Sequence, residues 1–118
     1  MKKINIIKEN KDFSNILDNG KNVRNRYYNI YYKDKESKYY RFGISVGKKI
    51  SKQAVIRNKL KRRLKSIIDN NKNYYSKEKD YIIIMKRNCL EATYDELEKG
   101  FLNIIKQIEV KGDNNETK

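Results

Sequence analysis

Lys48-Lys49-Ile50-Ser51-Lys52-Gln53-Ala54-Val55-Ile56-Arg57-Asn58-Lys59-Leu60-Lys61-Arg62-Arg63-Leu64-Lys65 carries nine Lys or Arg among eighteen residues and no acid. Its apolar residues nevertheless keep a helical period. Ile56, Leu60, Leu64 and, just beyond, Ile67 fall at i, i+4, i+8 and i+11, one narrow stripe at 3.6 residues per turn. A disordered basic tail would carry no such stripe, so the charges are displayed on a folded helix. The pattern predicts an N-cap at Ser51 and an end near Asn70. At ~100° per residue, Arg57, Lys61 and Lys65 form a row beside the stripe, with Asn58 and Arg62 next to them. Lys59 and Arg63 point to the other flank. Several fixed cations around a neutral amide suit a phosphate backbone better than one small anion.

Two strands are predicted before this helix. Residues 27–32 are aromatic and apolar, and residues 39–46 alternate with Phe42, Ile44 and Val46 on one face. The polar run Lys33-Asp34-Lys35-Glu36-Ser37-Lys38 between them predicts an antiparallel hairpin. Further upstream, residues 10–19 read as a first helix on which Phe13, Ile16 and Leu17 share a face, with Gly20 as a left-handed stop. Downstream, Ile82-Ile83-Ile84 within residues 80–85 read as a strand buried on both faces. Thr93-Tyr94-Asp95-Glu96 is a capping box. It opens a last helix lined by Leu97, Phe101, Ile104, Ile105 and Ile108. The order helix, strand, strand, helix, strand, helix predicts an α+β fold, a small sandwich of helices on a mostly antiparallel sheet. It forms one domain over residues 1–110, followed by a polar tail, 111–118, read as disordered.

Charge and composition narrow the function. The chain of 118 residues has 29 Lys or Arg against 15 Asp or Glu, a formal net charge of +14. A polyanionic partner relieves that self-repulsion, which makes nucleic acid the first expectation. No apolar run approaches the ~20 residues of a spanning helix, and the basic helix has too thin an apolar face to lie in a headgroup layer. Cys89 is the lone cysteine, which excludes an internal disulfide and fits a reducing cytoplasm. There is no His, which excludes His-based acid–base chemistry and Ser–His or Cys–His nucleophiles. The acids are scattered, as at Asp12, Asp69 and Asp80, or gathered at Glu91, Asp95, Glu96 and Glu98 where a helix start favours them. The polypeptide is therefore expected to break no bonds by itself.

The second sheet face offers a further candidate site. With Phe42, Ile44 and Val46 in the core, Arg41, Gly43 and Ser45 point the other way. With Tyr28, Ile30 and Tyr32 in the core, Tyr27, Asn29 and Tyr31 join them. Aromatic rings, an amide, small residues and an arginine make a floor for single-stranded RNA. The alternative is that Tyr31 packs against Phe13.

The block Ala54-Val55-Ile56-Arg57-Asn58-Lys59-Leu60-Lys61-Arg62, preceded by Gly43-Ile44-Ser45-Val46-Gly47-Lys48-Lys49, closely resembles the RNR signature of the bacterial ribonuclease P protein component. The likeness covers almost the whole chain. Asn10-Lys11-Asp12-Phe13, Gly20, Asn25-Arg26 and Tyr31 resemble the family's first helix and strand, and Asp80-Tyr81-Ile82-Ile83-Ile84 with Thr93-Tyr94 its late strand and helix start. The resemblance implies a protein partner of a catalytic RNA, the pair removing the 5′ leader of precursor tRNA by magnesium-dependent hydrolysis. It implies that no cofactor is bound by the protein and that the magnesium sits in the RNA. It also implies a left-handed βαβ crossover, against the usual hand. By position, Lys48, Lys49, Lys52, Arg57, Asn58, Lys61, Arg62 and Lys65 would face the catalytic RNA, and Phe13, Leu17, Tyr31, Arg41 and Ser45 would hold the leader. Neither a membrane nor DNA is an expected partner.

Some positions depart from the family pattern. Leu17 stands where many members carry an aromatic. Lys59 and Lys65 replace common arginines and lose the bidentate fork. Residues 49–54 leave room for one extra residue, and Asn88-Cys89 falls where proline is frequent. Among rivals, a small ribosomal protein would share the charge but has no use for a stacking channel. A helix-turn-helix DNA reader would need a partner helix just before Ser51, where the sequence is strand-like.

Overall fold

The computed structural model describes residues 6–35, 39–75 and 78–117. Its elements are α1 (Asn10–Asn19), β1 (Lys21–Arg24), β2 (Tyr28–Asp34), β3 (Arg41–Ser45), α2 (Ala54–Asn70), β4 (Lys79–Met85) and α3 (Tyr94–Thr117). Short 3-10 turns at Lys72–Tyr74 and Arg87–Leu90 flank β4. The strands form one mixed sheet in the order β1-β2-β4-β3, so the fold is α+β as the pattern predicts.

The predicted hairpin between the second and third strands does not form. β4 lies between them, antiparallel to β2 and parallel to β3. The reason is the apolar content of β4. Tyr81, Ile82, Ile83 and Met85 are all buried, and a strand apolar on both faces gains most at the centre of a sheet. Part of the predicted hairpin turn, residues 36–38, lies outside the described residues. β1 is absent from the sequence prediction. Its four residues bury only Val23, so an edge strand here has no period to read.

The sheet separates two cores. On one face α2 and α3 cover Tyr28, Ile30, Tyr32, Phe42, Tyr81 and Ile83 with Leu60, Leu64, Ile67, Leu97, Phe101 and Ile104. The Phe42 and Tyr81 rings stack with centroids 4.7 Å apart. On the other face α1 and the segment before it form a smaller cluster of Ile7, Ile16 and Ile82, edged by Phe13, Tyr31 and Ile84. The Ile7 amide donates to the Phe42 carbonyl at 3.0 Å, which fastens that segment beside β3.

Helix ends follow local chemistry, with two corrections. At α3 the capping box closes both ways: the Glu96 amide donates to Thr93 Oγ1 at 3.1 Å and the Thr93 amide to Glu96 Oε1 at 3.0 Å. At α2 the N-cap is Gln53 instead of Ser51. The Ser51 hydroxyl is already used two residues on, where it accepts from the Gln53 amide at 3.2 Å. Nor is Gly20 a left-handed stop, since its backbone is extended at φ −81° and ψ 164°. Its need is proximity: a Cβ there would stand 2.5 Å from the Ile16 carbonyl oxygen and 2.8 Å from that of Tyr32. α3 continues to Thr117, past the start of the segment that composition predicts as a disordered tail, while its buried stripe reaches Ile108.

Candidate nucleic-acid interface

α2 turns its stripe inward and its cations outward. Leu60, Leu64, Ile67 and Ile68 are buried. Asn58, Lys59, Arg62 and Lys65 are exposed, and Arg57, Lys61 and Arg63 are half-buried. Lys48 and Lys49 are exposed in the turn after β3, and Lys52 is exposed ahead of the helix. Arg87, from the turn after β4, donates from Nη2 to the Lys49 carbonyl at 2.9 Å and extends the same rim. Among the described residues no cation of α2 is paired with a carboxylate. The first turn of α2 holds no acid, although a helix N-terminus favours negative charge. This charge order works against helix stability, and an incoming phosphate relieves it. Arg57 has a second duty, because its Nη1 donates to the Ser51 carbonyl at 2.8 Å and ties the loop to the helix.

On the other sheet face, strand register sets out the second site in three cross-strand rows. Lys33, Asp80 and Arg41 form the first row. Asn22, Tyr31, Ile82 and Gly43 form the second, and Arg24, Asn29, Ile84 and Ser45 the third. Ile82 therefore separates Tyr31 from Gly43, which the hairpin prediction had placed side by side. α1 crosses the first two rows: Ile16 packs on Ile82, and the Phe13 ring fills the space over Gly43. The third row stays half-open, with Asn29, Ile84 and Ser45 all of intermediate burial. Phe13 and Tyr31, both half-buried, border it. Leu17 is exposed one helical turn along α1 from Phe13.

The site differs from its sequence reading at several points. Tyr27 leaves the floor. Its ring packs beneath α3, 2.7 Å from where a Cβ on Gly100 would stand, and its hydroxyl reaches Glu96 at 3.5 Å. Gly43 leaves no room for a ligand, because Phe13 occupies it. Ile84, read as wholly buried, contributes a half-exposed apolar patch at the floor's centre. Nothing in three consecutive isoleucines distinguishes the one that α1 fails to cover.

Arg41 is not a free cation. Its Nε and Nη2 donate to Asp80 Oδ1 and Oδ2 at 2.9 and 2.7 Å, and its Nη1 lies 3.4 Å from Asp12 Oδ2 on α1. Lys35 Nζ also pairs with Asp80. The scattered acids Asp12 and Asp80 thus meet, but around Arg41. Burial would raise the Asp80 carboxyl, yet hydrogen bonds from Arg41 and Lys35 outweigh it and hold the group below its ordinary value. Among the described residues no group of three His, Cys, Asp or Glu is arranged to hold a metal ion. No helix among them is long and apolar enough to cross a membrane.

The sequence and the fold are shared with known proteins. The sequence profile of the family described as Ribonuclease P matches residues 1–109. The ribonuclease P protein component of Mycoplasma capricolum is 42% identical over 109 residues, covering 92% of this chain and 99% of that protein. The solved RNase P protein of Staphylococcus aureus superposes with a TM-score of 0.82 at 32% identity, over 90% of this chain and 96% of that one. That of Thermotoga maritima gives 0.79 at 28% identity, over 86% and 94%.

Proposed function

The chain belongs to the ribonuclease P protein family, and from that premise we propose that it is the RNA-binding subunit of a ribonucleoprotein that removes the 5′ leader from precursor tRNA. The α2 face, with Lys48, Lys49, Lys52, Arg57, Asn58, Lys61, Arg62 and Lys65, docks on the catalytic RNA. The half-open floor on the opposite sheet face, which includes Ser45 and is bordered by Phe13, Leu17 and Tyr31, with Arg41 two rows away, holds the single-stranded leader. Ile84 joins Asn29 and Ser45 in that floor.

The observation that carries this reading is the segregation of the two sites. One sheet face supports a helix whose cations have no acid partner among the described residues, and the other leaves a row of amide, isoleucine and serine half-open beside two rings. Phosphate contacts from α2 fix the complex in place, while stacking and apolar contact read a strand of variable sequence. The chain orients its RNA partners and supplies no nucleophile or general base. The family resemblance assigns the reaction's magnesium to the RNA; in this chain Asp12 and Asp80, the acids that the fold brings together, are engaged by Arg41 and Lys35.

The test is cleavage of precursor tRNA by the cognate RNA with and without this protein, at low and high magnesium. The protein is expected to raise kcat/KM for precursor with RNA present and to cleave nothing alone. Cleavage by RNA-free protein, abolished by changing one of its carboxylates, would overturn the proposal.

A further inference from the structure

We propose that Asp80 is a positioning residue for leader recognition, acting through the guanidinium of Arg41; the inference rests on the leader site proposed above. Among the described residues Asp80 is the buried acid. It stands in the first row of the α1 face, between Lys33 on β2 and Arg41 on β3. Both of its oxygens are engaged: Oδ1 by Arg41 Nε and by Lys35, Oδ2 by Arg41 Nη2.

The consequence lies with Arg41. It belongs to the same face as Gly43 and Ser45, at the end of β3 where α1 carries Phe13 over Gly43. A free arginine side chain loses rotamer freedom when it grips a phosphate. The fork to Asp80 removes that freedom beforehand and sets the plane of the guanidinium. The long 3.4 Å contact to Asp12 leaves donor capacity on both Nη atoms. These border a cavity of ≈ 230 Å³ whose lining sets three cations, Arg41, Lys33 and Lys35, against three carboxylates, Asp12, Asp34 and Asp80. Lys35 is committed to Asp80 and Lys33 to Asn15 Oδ1 at 3.0 Å, so the group left to meet a leader phosphate arriving beyond Phe13 is the guanidinium of Arg41, held in plane by its fork to Asp80. Asp80 itself is buried and makes no such contact; it determines where Arg41 points.

The experiment measures, on reconstituted holoenzyme, the ratio of affinities for precursor and mature tRNA. Asp80→Asn keeps the shape of the carboxylate and removes its charge. It is expected to lower the ratio about 3- to 10-fold, the partial loss of one charge-assisted contact, with affinity for the catalytic RNA unchanged. In an Arg41→Gln background the same substitution should lower the ratio no further. An equal loss in both backgrounds would overturn the proposal, because Asp80 would then act independently of Arg41. Arg41→Lys covers the case in which Asp80→Asn folds poorly, since it keeps the charge and loses the fork. Full retention of the ratio by Arg41→Lys would likewise overturn it. Tyr31→Ala separates the two levels. If Tyr31→Ala lowers the ratio and Asp80→Asn does not, the positioning role fails alone. If neither lowers it, the leader site fails and this inference fails with it.

Discussion

The ring of Phe13 lies directly over Gly43, so close that a Cβ at residue 43 would stand 2.5 Å from Phe13 Cζ. A residue of α1 and a residue of β3 thus fit only because one has no side chain, and that fit sets the edge of the floor. Gly43→Ala must push the ring aside. Because the obstacle is a half-buried side chain and not backbone, the expected cost is about 1 kcal/mol, at the low end for overpacking. The displaced ring should also weaken precursor binding while mature tRNA binds as before. Denaturant midpoints and the two affinities, taken on one preparation, check both parts.

Gly20→Ala is the harsher change. There the added methyl meets two backbone carbonyl oxygens, of Ile16 and Tyr32, and neither can rotate away. A loss of roughly 1–3 kcal/mol is expected, visible in the same denaturant series as a lower midpoint than that of Gly43→Ala. Equal midpoints for the two variants would contradict the close approach of α1 to β2.

What the sequence revealed and what it concealed divide along physical lines. α1, the stripe of α2 and the capping box at Thr93 were legible, because periodicity and capping are local. The place of β4 was not. Ile82, Ile83 and Ile84 announce a strand buried on both faces, but whether β2 or β3 lies beside it depends on non-local pairing. Assuming a hairpin brought Tyr31 next to Gly43, when Ile82 stands between them. The basic face was readable residue by residue. The pairing of Arg41 with Asp80 was not, because 39 residues separate the partners and only the parallel register of β3 on β4 joins them.

Asp80 gives a pH prediction. Its folded pKa lies below its ordinary value, so the unfolded chain binds the proton more readily. The stabilisation from this carboxylate is complete well above the unfolded pKa of about 3.9 and is lost as pH falls through the lower folded value. The parent should therefore lose melting temperature below about pH 4 more steeply than Asp80→Asn. Melting curves from pH 7 to pH 3 would show the two converging on the acid side. Parallel curves would mean that the carboxylate is not held by Arg41 and Lys35.

Cys89 should be inert in the folded protein. Burial pushes its thiol up to about 11, and its Sγ donates to the Tyr27 carbonyl at 3.1 Å. At pH 8 the thiolate fraction is then on the order of one in a thousand, and the sulfur is covered as well. Alkylation should wait for unfolding, reaching completion in denaturant within the time that leaves native protein nearly unlabelled. Rapid labelling of native protein would contradict the packing of the 3-10 turn Arg87–Leu90 against Tyr27.

The two-face arrangement is the central claim, and one paired measurement tests it most directly. Arg62→Ala, on the exposed side of α2, and Tyr31→Ala, on the opposite sheet face, are compared for affinity to the catalytic RNA and for precursor over mature tRNA. Arg62 suits this test better than Arg57, whose hydrogen bond to the Ser51 carbonyl also holds the loop. Arg62→Ala should weaken catalytic-RNA binding and flatten its salt dependence by roughly one unit of slope or less, with the tRNA preference intact. Tyr31→Ala should leave catalytic-RNA binding intact and reduce the precursor preference about 5- to 150-fold where a base stacks on the ring. If both variants melt normally and each lowers both quantities alike, or neither lowers either, the separation of the two RNA-binding faces is contradicted.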